Sequence, residues 1–137
     1  METQAGDRNE IRIVLDRYAQ GWRQADASLL ISTWDEEYDS LYLASEKPAP
    51  IRGYAAILQY YKDALAVYPI TKMEISDVEI DLFQDLASAF CNIQIGFKVG
   101  GKEYIVFPRA TFLLRRTGIV WRCIQYHESI KYEVPQA

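Results

Sequence analysis

The sequence predicts an α+β fold, with three N-terminal helices packed on a strongly curved, mostly antiparallel sheet. Apolar residues recur every three or four positions up to Pro69 and every second position after it. Val99-Gly100-Gly101-Lys102 reads as a two-residue hairpin turn, and Thr117-Gly118 is a second candidate. No linker, repeat or low-complexity tract divides the 137 residues, so 1–137 reads as one domain with its core at about 9–131.

Residues 1–7 read as a polar, frayed start. From there Ile11, Val14, Leu15, Tyr18, Ala19 and Trp22 form the apolar stripe of an amphipathic helix of about four turns. Asp26 is a good N-cap for a second, short helix carrying Leu29, Leu30 and Trp34. Tyr38 to Leu43 reads as a strand, and Ser45 to Gly53, with two prolines, as a loop. A third helix runs from Tyr54 to about Ala66, and Pro69 ends it. Beyond it Met73 and Ile75 share one parity while Val78, Ile80 and Leu82 share the other. That switch predicts a bulge or bend near Ser76-Asp77.

A two-residue loop at Gly100-Gly101 sets Phe97 opposite Tyr104 and Ile95 opposite Val106. Continued, it sets Ile93 opposite Pro108, Cys91 opposite Ala110 and Ala89 opposite Phe112. That face is apolar throughout and is the one the helices must cover. The other face holds Asn92, Gln94, Phe107, Arg109 and Thr111. A two-residue turn at Thr117-Gly118 puts Trp121, Cys123, Gln125, His127 and Ser129 on the covered face. A three-residue bulged turn reverses that assignment. Cys91 and Cys123 then flank one central strand, roughly 9.6 Å apart. They are beyond disulfide reach and read as separate thiols. Arg115-Arg116 reads as a solvated turn.

Half the chain is hydrophobic and a quarter charged, the balance of a soluble globular protein. A net charge of −4 argues against nucleic acid or an anionic membrane as partner. Met1 to Glu10 lacks the apolar core of a signal peptide, and no apolar run approaches membrane-spanning length, which makes the cytoplasm the default location. Ten tyrosines stand against a single histidine, so a His-rich metal site is excluded. His127 and Cys123 lie roughly 13 Å apart along a strand and cannot share an ion. No metal and no cofactor is expected.

Four segments taken in order are familiar: VLDRYAQGWRQAD, GYAAILQYYKDAL, FKVGGKEYIVFP and RATFLLRRTGIVWRCIQYHES. Over about residues 9–131 the chain resembles the nuclear-transport-factor-2-like superfamily, a cone-shaped α+β barrel. Its members include SnoaL-like polyketide cyclases, ketosteroid isomerase and limonene epoxide hydrolase. The ending, Trp121 followed by His127-Glu128-Ser129, is most similar to SnoaL-like domains and to kinase association domains. Carried over residue by residue, the isomerase's oxyanion tyrosine falls on Tyr18, its supporting tyrosine on Tyr61 and an aromatic of the second helix on Trp34. Its base falls on Tyr42 and its second oxyanion donor on Ala110, so both carboxyl groups are missing. The hydrolase's Arg-x-Asp falls near Arg109-Ala110-Thr111 and its second Asp near Gln125, again without carboxylates. Scytalone dehydratase needs two histidines where this chain has one.

The resemblance implies a cone that takes a small, largely apolar organic molecule. Tyr18 is the expected electrophilic donor, strengthened by Tyr61, and His127 the expected acid or base, for cofactor-independent isomerisation, cyclisation or dehydration. Trp22, Trp34, Tyr42 and Tyr61 are expected around the ligand from the helical side and rim. Ala110, Phe112, Cys123 and Gln125 are expected from the sheet. Asn92, Gln94, Arg109 and Tyr126 are assigned to the opposite face, through which this superfamily commonly forms homodimers. The missing carboxylates support a second reading, a non-catalytic oligomerisation or ligand-sensing module like the kinase association domains. Packing alone also accounts for aromatics at helical spacing.

Overall fold

A computed structural model describes residues 4–131. The helices are α1 (Gln4–Arg23), α2 (Ala27–Ser32) and α3 (Tyr54–Val67). Between the last two lie the short strands β1 (Leu41–Leu43) and β2 (Ile51–Arg52). The meander that follows comprises β3 (Ile70–Phe83), β4 (Leu86–Val99), β5 (Lys102–Val106), β6 (Arg109–Thr117) and β7 (Val120–Ser129). All seven strands form one sheet in the order β2-β1-β7-β6-β4-β3, with β5 also paired to β4. Every pairing is antiparallel except β1 with β7. Helices on one side of this curved sheet make the α+β cone.

The apolar stripe of α1 is buried as expected, from Ile11 to Trp22. The helix begins earlier than its hydrophobic period, at Gln4, because its first turns have partners far along the chain. Asp7 Oδ1 accepts from Trp121 Nε1 at 3.1 Å and from Arg116 Nη1 at 3.2 Å. Asp26 caps α2, its Oδ1 accepting from Leu29 N at 3.0 Å. Gly21 allows α2 to sit directly on α1, since a Cβ there would lie 2.6 Å from Leu30 Cγ. α2 stops at Ser32. Trp34 therefore lies beyond it, in a parallel bridge to Cys123.

The bend in β3 falls where the parity switch placed it, with a register shift between Ser76 and Glu79 and Asp77 at φ +54°. β4 pairs as expected with both neighbours: Phe97 with Tyr104, Ile95 with Val106, Cys91 with Ala110 and Ala89 with Phe112. Both cysteines are free and buried, and burial raises their thiol pKa values, that of Cys91 to about 12.

The last hairpin departs from expectation. Its two-residue loop is Gly118-Ile119, one position later than Thr117-Gly118, and Leu114 pairs with Cys123 while Leu113 pairs with Gln125. Ile124 is thus an extra residue, a bulge that reverses the facing of everything after it. Trp121 and Cys123 face the helices as expected. Beyond the bulge Tyr126 is buried, whereas Gln125, His127 and Ser129 are exposed. The cause is a clamp from another part of the chain. Cys123 N donates to Thr33 O at 2.7 Å and Cys123 O accepts from Asp35 N at 2.9 Å, while the Ile124 side chain is also buried.

Neither residue of Arg115-Arg116 is merely solvated. Arg115 donates through Nε and Nη2 to Asp35 Oδ2 at 3.0 and 2.7 Å. Asp35 Oδ1 accepts from the N–H groups of Glu37 and Tyr38. Burial opposes ionisation of Asp35, but the guanidinium and these N–H groups outweigh it and hold its pKa below the usual carboxylate range. Arg116 donates to Asp85 and Asp7, tying α1 to the sheet. No helix among the described residues is long and apolar enough to cross a membrane.

Candidate functional site

The cone encloses a cavity of about 240 Å³ between α1, α3 and the covered face of the sheet. Tyr18 and Trp22 reach it from α1, Tyr60 from α3, Tyr42 from β1 and Tyr126 from β7. Ile70, Met73, Ile95, Val106 and Pro108 supply an aliphatic wall from the strands. Ser45 and Glu46, exposed on the loop after β1, mark its open end together with Ile130. Glu46 and Glu128 are the charged side chains among its lining residues, and none of the lining residues is Lys, Arg or His.

Hydrogen bonds connect these polar tips in three groups. Tyr18 Oη and Tyr42 Oη lie 2.9 Å apart in the buried interior. Tyr126 Oη donates to Glu128 Oε2 at 3.2 Å, and Ser45 N donates to Glu128 Oε1 at 3.1 Å. The Tyr126 ring stacks on Tyr42, with centroids 4.6 Å apart, and lies 5.5 Å from the Tyr18 ring. Tyr60 Oη donates to Glu46. The indole N–H of Trp22 is buried, makes no hydrogen bond of normal geometry to a described residue, and stands close enough to Tyr18 to act on its phenol.

Burial raises the pKa of Tyr18, Tyr42, Tyr60 and Tyr126, so these phenols remain hydrogen-bond donors over any physiological pH. Burial likewise pushes Glu128 up from the ordinary value of 4.5 to about 7. The nearby charge of Glu46 adds to that rise, and the Ser45 N–H and Tyr126 hydroxyl oppose it. A carboxyl group poised near neutrality can both take and return a proton.

Three of the residues expected to meet a ligand or to catalyse, Tyr18, Trp22 and Tyr42, line this cavity. Trp34, Tyr61, Ala110, Phe112 and Cys123 are buried in the core but are not among its lining residues. Tyr61 does not strengthen Tyr18: it accepts from Trp34 Nε1 at 2.8 Å, and Tyr42 holds the place beside Tyr18. Gln125 and His127 lie on the opposite face because of the bulge at Ile124, which removes His127 from any role in the cavity. His127 instead borders a shallow depression with Phe90, Arg109 and Ser129. Asn92, Gln94 and Arg109 stand on that outer face as assigned, Arg109 Nη2 donating to Ser129 Oγ at 3.2 Å. Tyr126 does not join them, being 1% exposed on the inner side.

The functional group that was not anticipated is Glu128. The consecutive apolar pair Cys123-Ile124 inside a period-two strand is the usual trace of a bulge, and it would have turned Tyr126 and Glu128 inward. Among the described residues no three His, Cys, Asp or Glu side chains gather as metal ligands.

The model of the SnoaL-like domain family matches residues 11–133. A candidate dehydratase of the nuclear-transport-factor-2-like family from Streptomyces avermitilis is similar in structure, with a TM-score of 0.84 and 18% identity over 93% of this chain and 98% of that one. A candidate calcium/calmodulin-dependent kinase II association domain from Xanthomonas campestris gives 0.79 and 18%, covering 97% and 91%. A ketosteroid isomerase-like protein from Erwinia carotovora atroseptica gives 0.78 and 18%, covering 91% and 96%. At such identities the likeness is one of fold. A comparison with curated proteins gave no match.

Proposed function

Because the chain belongs to the SnoaL-like domain family, we propose that it binds a small, largely apolar organic molecule in the cone and moves a proton on it without a cofactor. Glu128 is the acid or base, and the Tyr18–Tyr42 pair is the electrophile that polarises an oxygen of the ligand. One observation carries this reading: a largely apolar, aromatic cavity is lined by Glu128, a carboxyl group that burial raises toward neutrality and that a buried phenol hydrogen-bonds. Phenols beside a developing oxyanion stabilise it, because they are already oriented in a site of low dielectric. A carboxylate facing the same space can remove the proton that the polarised oxygen acidifies. Isomerisation, cyclisation and dehydration all begin with that step.

The probe is 2-tetralone, a compact ketone with exchangeable α-protons, followed by NMR in heavy water. The native protein is expected to speed deuterium uptake above the buffer rate, and Glu128→Gln to return it to that rate. Tyr18→Phe is expected to lower it about tenfold or more. Uptake at the buffer rate with the Trp22 indole signal shifted by the ketone leaves a binding protein and refutes the proton transfer. An unshifted Trp22 signal at saturating ketone refutes the ligand site as well.

Two copies pair through the outer face of the sheet in this reading. Its support is the exposure there of Phe90 at 39% and Phe107 at 63%, beside Arg109. Light scattering is expected to give the mass of a dimer, and Phe107→Glu to shift it toward a monomer. A large closed assembly without deuterium uptake would instead favour the non-catalytic association module. A native monomer at high concentration overturns the pairing.

A further inference from the structure

We propose that the ligand of this cavity is an organic cation: a compact apolar molecule carrying a tertiary or quaternary ammonium, its nitrogen held among tyrosine rings and beside Glu128. The inference rests on the cavity being a ligand site and adds the sign of the ligand's charge. It also makes Glu128 ionise when the ligand enters, which leaves it in the base form the proton transfer requires.

Charge at the site points one way. Glu46 and Glu128 both line the cavity, and among the described residues no Lys, Arg or His does. An anionic ligand would meet two carboxyl groups and no counter-charge. A cation meets the opposite condition, with Glu128 half-buried where Coulomb forces are poorly screened and Glu46 at the mouth. Burying Glu128 without a counter-ion opposes its ionisation, and a ligand cation supplies the missing partner.

Ring chemistry points the same way. Tyr18, Trp22, Tyr42, Tyr60 and Tyr126 all contribute to the lining. Tyr42 and Tyr126 stack on each other, and ring faces not taken up in this way attract cations. Tyr60 already attracts one from this chain: Lys47 Nζ lies 5.6 Å from its centroid, although Lys47 is not a lining residue. At the other end the aliphatic wall of Ile70, Ile95, Val106 and Pro108 demands an apolar body. The Trp22 N–H, which makes no hydrogen bond of normal geometry to a described residue and only leans toward Tyr18, has room for a better acceptor on this body, such as a hydroxyl or carbonyl oxygen. A cavity of about 240 Å³ exceeds the roughly 150 Å³ that accommodates benzene, so a molecule of about a dozen heavy atoms fits.

The test uses two probes that differ by one atom, 4-(hydroxymethyl)phenyltrimethylammonium and its carbon counterpart 4-tert-butylbenzyl alcohol, with 4-tert-butylbenzoate as the anion. Binding to the full chain is followed by calorimetry and by the Trp22 indole signal, at a pH above the value of about 7 reached by Glu128. The ammonium is expected to bind about tenfold tighter than the alcohol. The double substitution Glu46→Gln/Glu128→Gln is expected to remove most of that ratio. An alcohol that binds as tightly as the ammonium, or a benzoate that binds best, overturns the charge inference while the cavity remains a ligand site. If none of the three shifts the Trp22 signal, the ligand site falls with it.

Discussion

Replacing Trp34 with alanine is expected to cost about 3–5 kcal/mol of stability, read from urea unfolding of the native and variant chains. The side chain is 2% exposed and is among the largest that the core buries. Its ring packs 5.7 Å from that of Tyr42, and its Nε1 donates to Tyr61 Oη at 2.8 Å. The loss is not confined to packing, because the same segment clamps β7. Thr33 O and Asp35 N pair with Cys123 on either side of the Trp34 bridge. A smaller control isolates the hydrogen bond: Tyr61→Phe leaves the indole N–H unpartnered in a dry core and is expected to cost about 1–3 kcal/mol. Together the two changes should cost less than their sum, since each removes the same bond. A loss below about 1 kcal/mol for Trp34→Ala would mean that this seam is not packed as described.

That seam also marks the limit of what local sequence displays. The stripe on α1, the cap at Asp26, the bend near Asp77 and both registers of β4 follow from periods and turn residues within a few positions of each other. Local chemistry settles such features, so local sequence displays them. The facing of Gln125, His127 and Glu128 does not arise locally. It depends on Cys123 pairing with a segment about ninety residues earlier, which holds one more residue inward and displaces the register. The early start of α1 has the same character, because Asp7 is held by Arg116 and Trp121 from the far end of the chain. In the site the consequence was large. The bulge at Ile124 turns the single histidine out of the cavity and Glu128 into its lining, a glutamate that a reading of composition passes over among nineteen acidic residues. The tyrosine excess is a partial guide: Tyr18 and Tyr42 line the cavity as expected, Tyr61 does not, and Tyr60 and Tyr126 line it without having been placed there.

Glu128 should leave its mark on stability as well as on function, and the sign is fixed by its direction of shift. The folded protein holds this proton up to about pH 7, whereas an unfolded chain releases it near 4.5. Between those values the native state binds more protons than the unfolded one, so this group's contribution to stability falls as pH rises. Below 4.5 its contribution is fully present, and above about 7 the loss is complete. Glu128→Gln, with no carboxyl to ionise, is therefore expected to match the native chain at low pH and to exceed it by about 2–3 kcal/mol above neutrality. The glutamine can keep the local hydrogen bonds: its oxygen accepts from Ser45 N, and its amide can donate to the Tyr126 hydroxyl that formerly donated. Unfolding curves for both proteins across this pH range measure the difference directly. A constant gap between them would show that Glu128 is hydrated and ordinary in the folded state. A gap that opens through the interval would show that the cone holds a carboxyl group at a cost in stability, as expected of a group kept for proton transfer or for a cationic ligand.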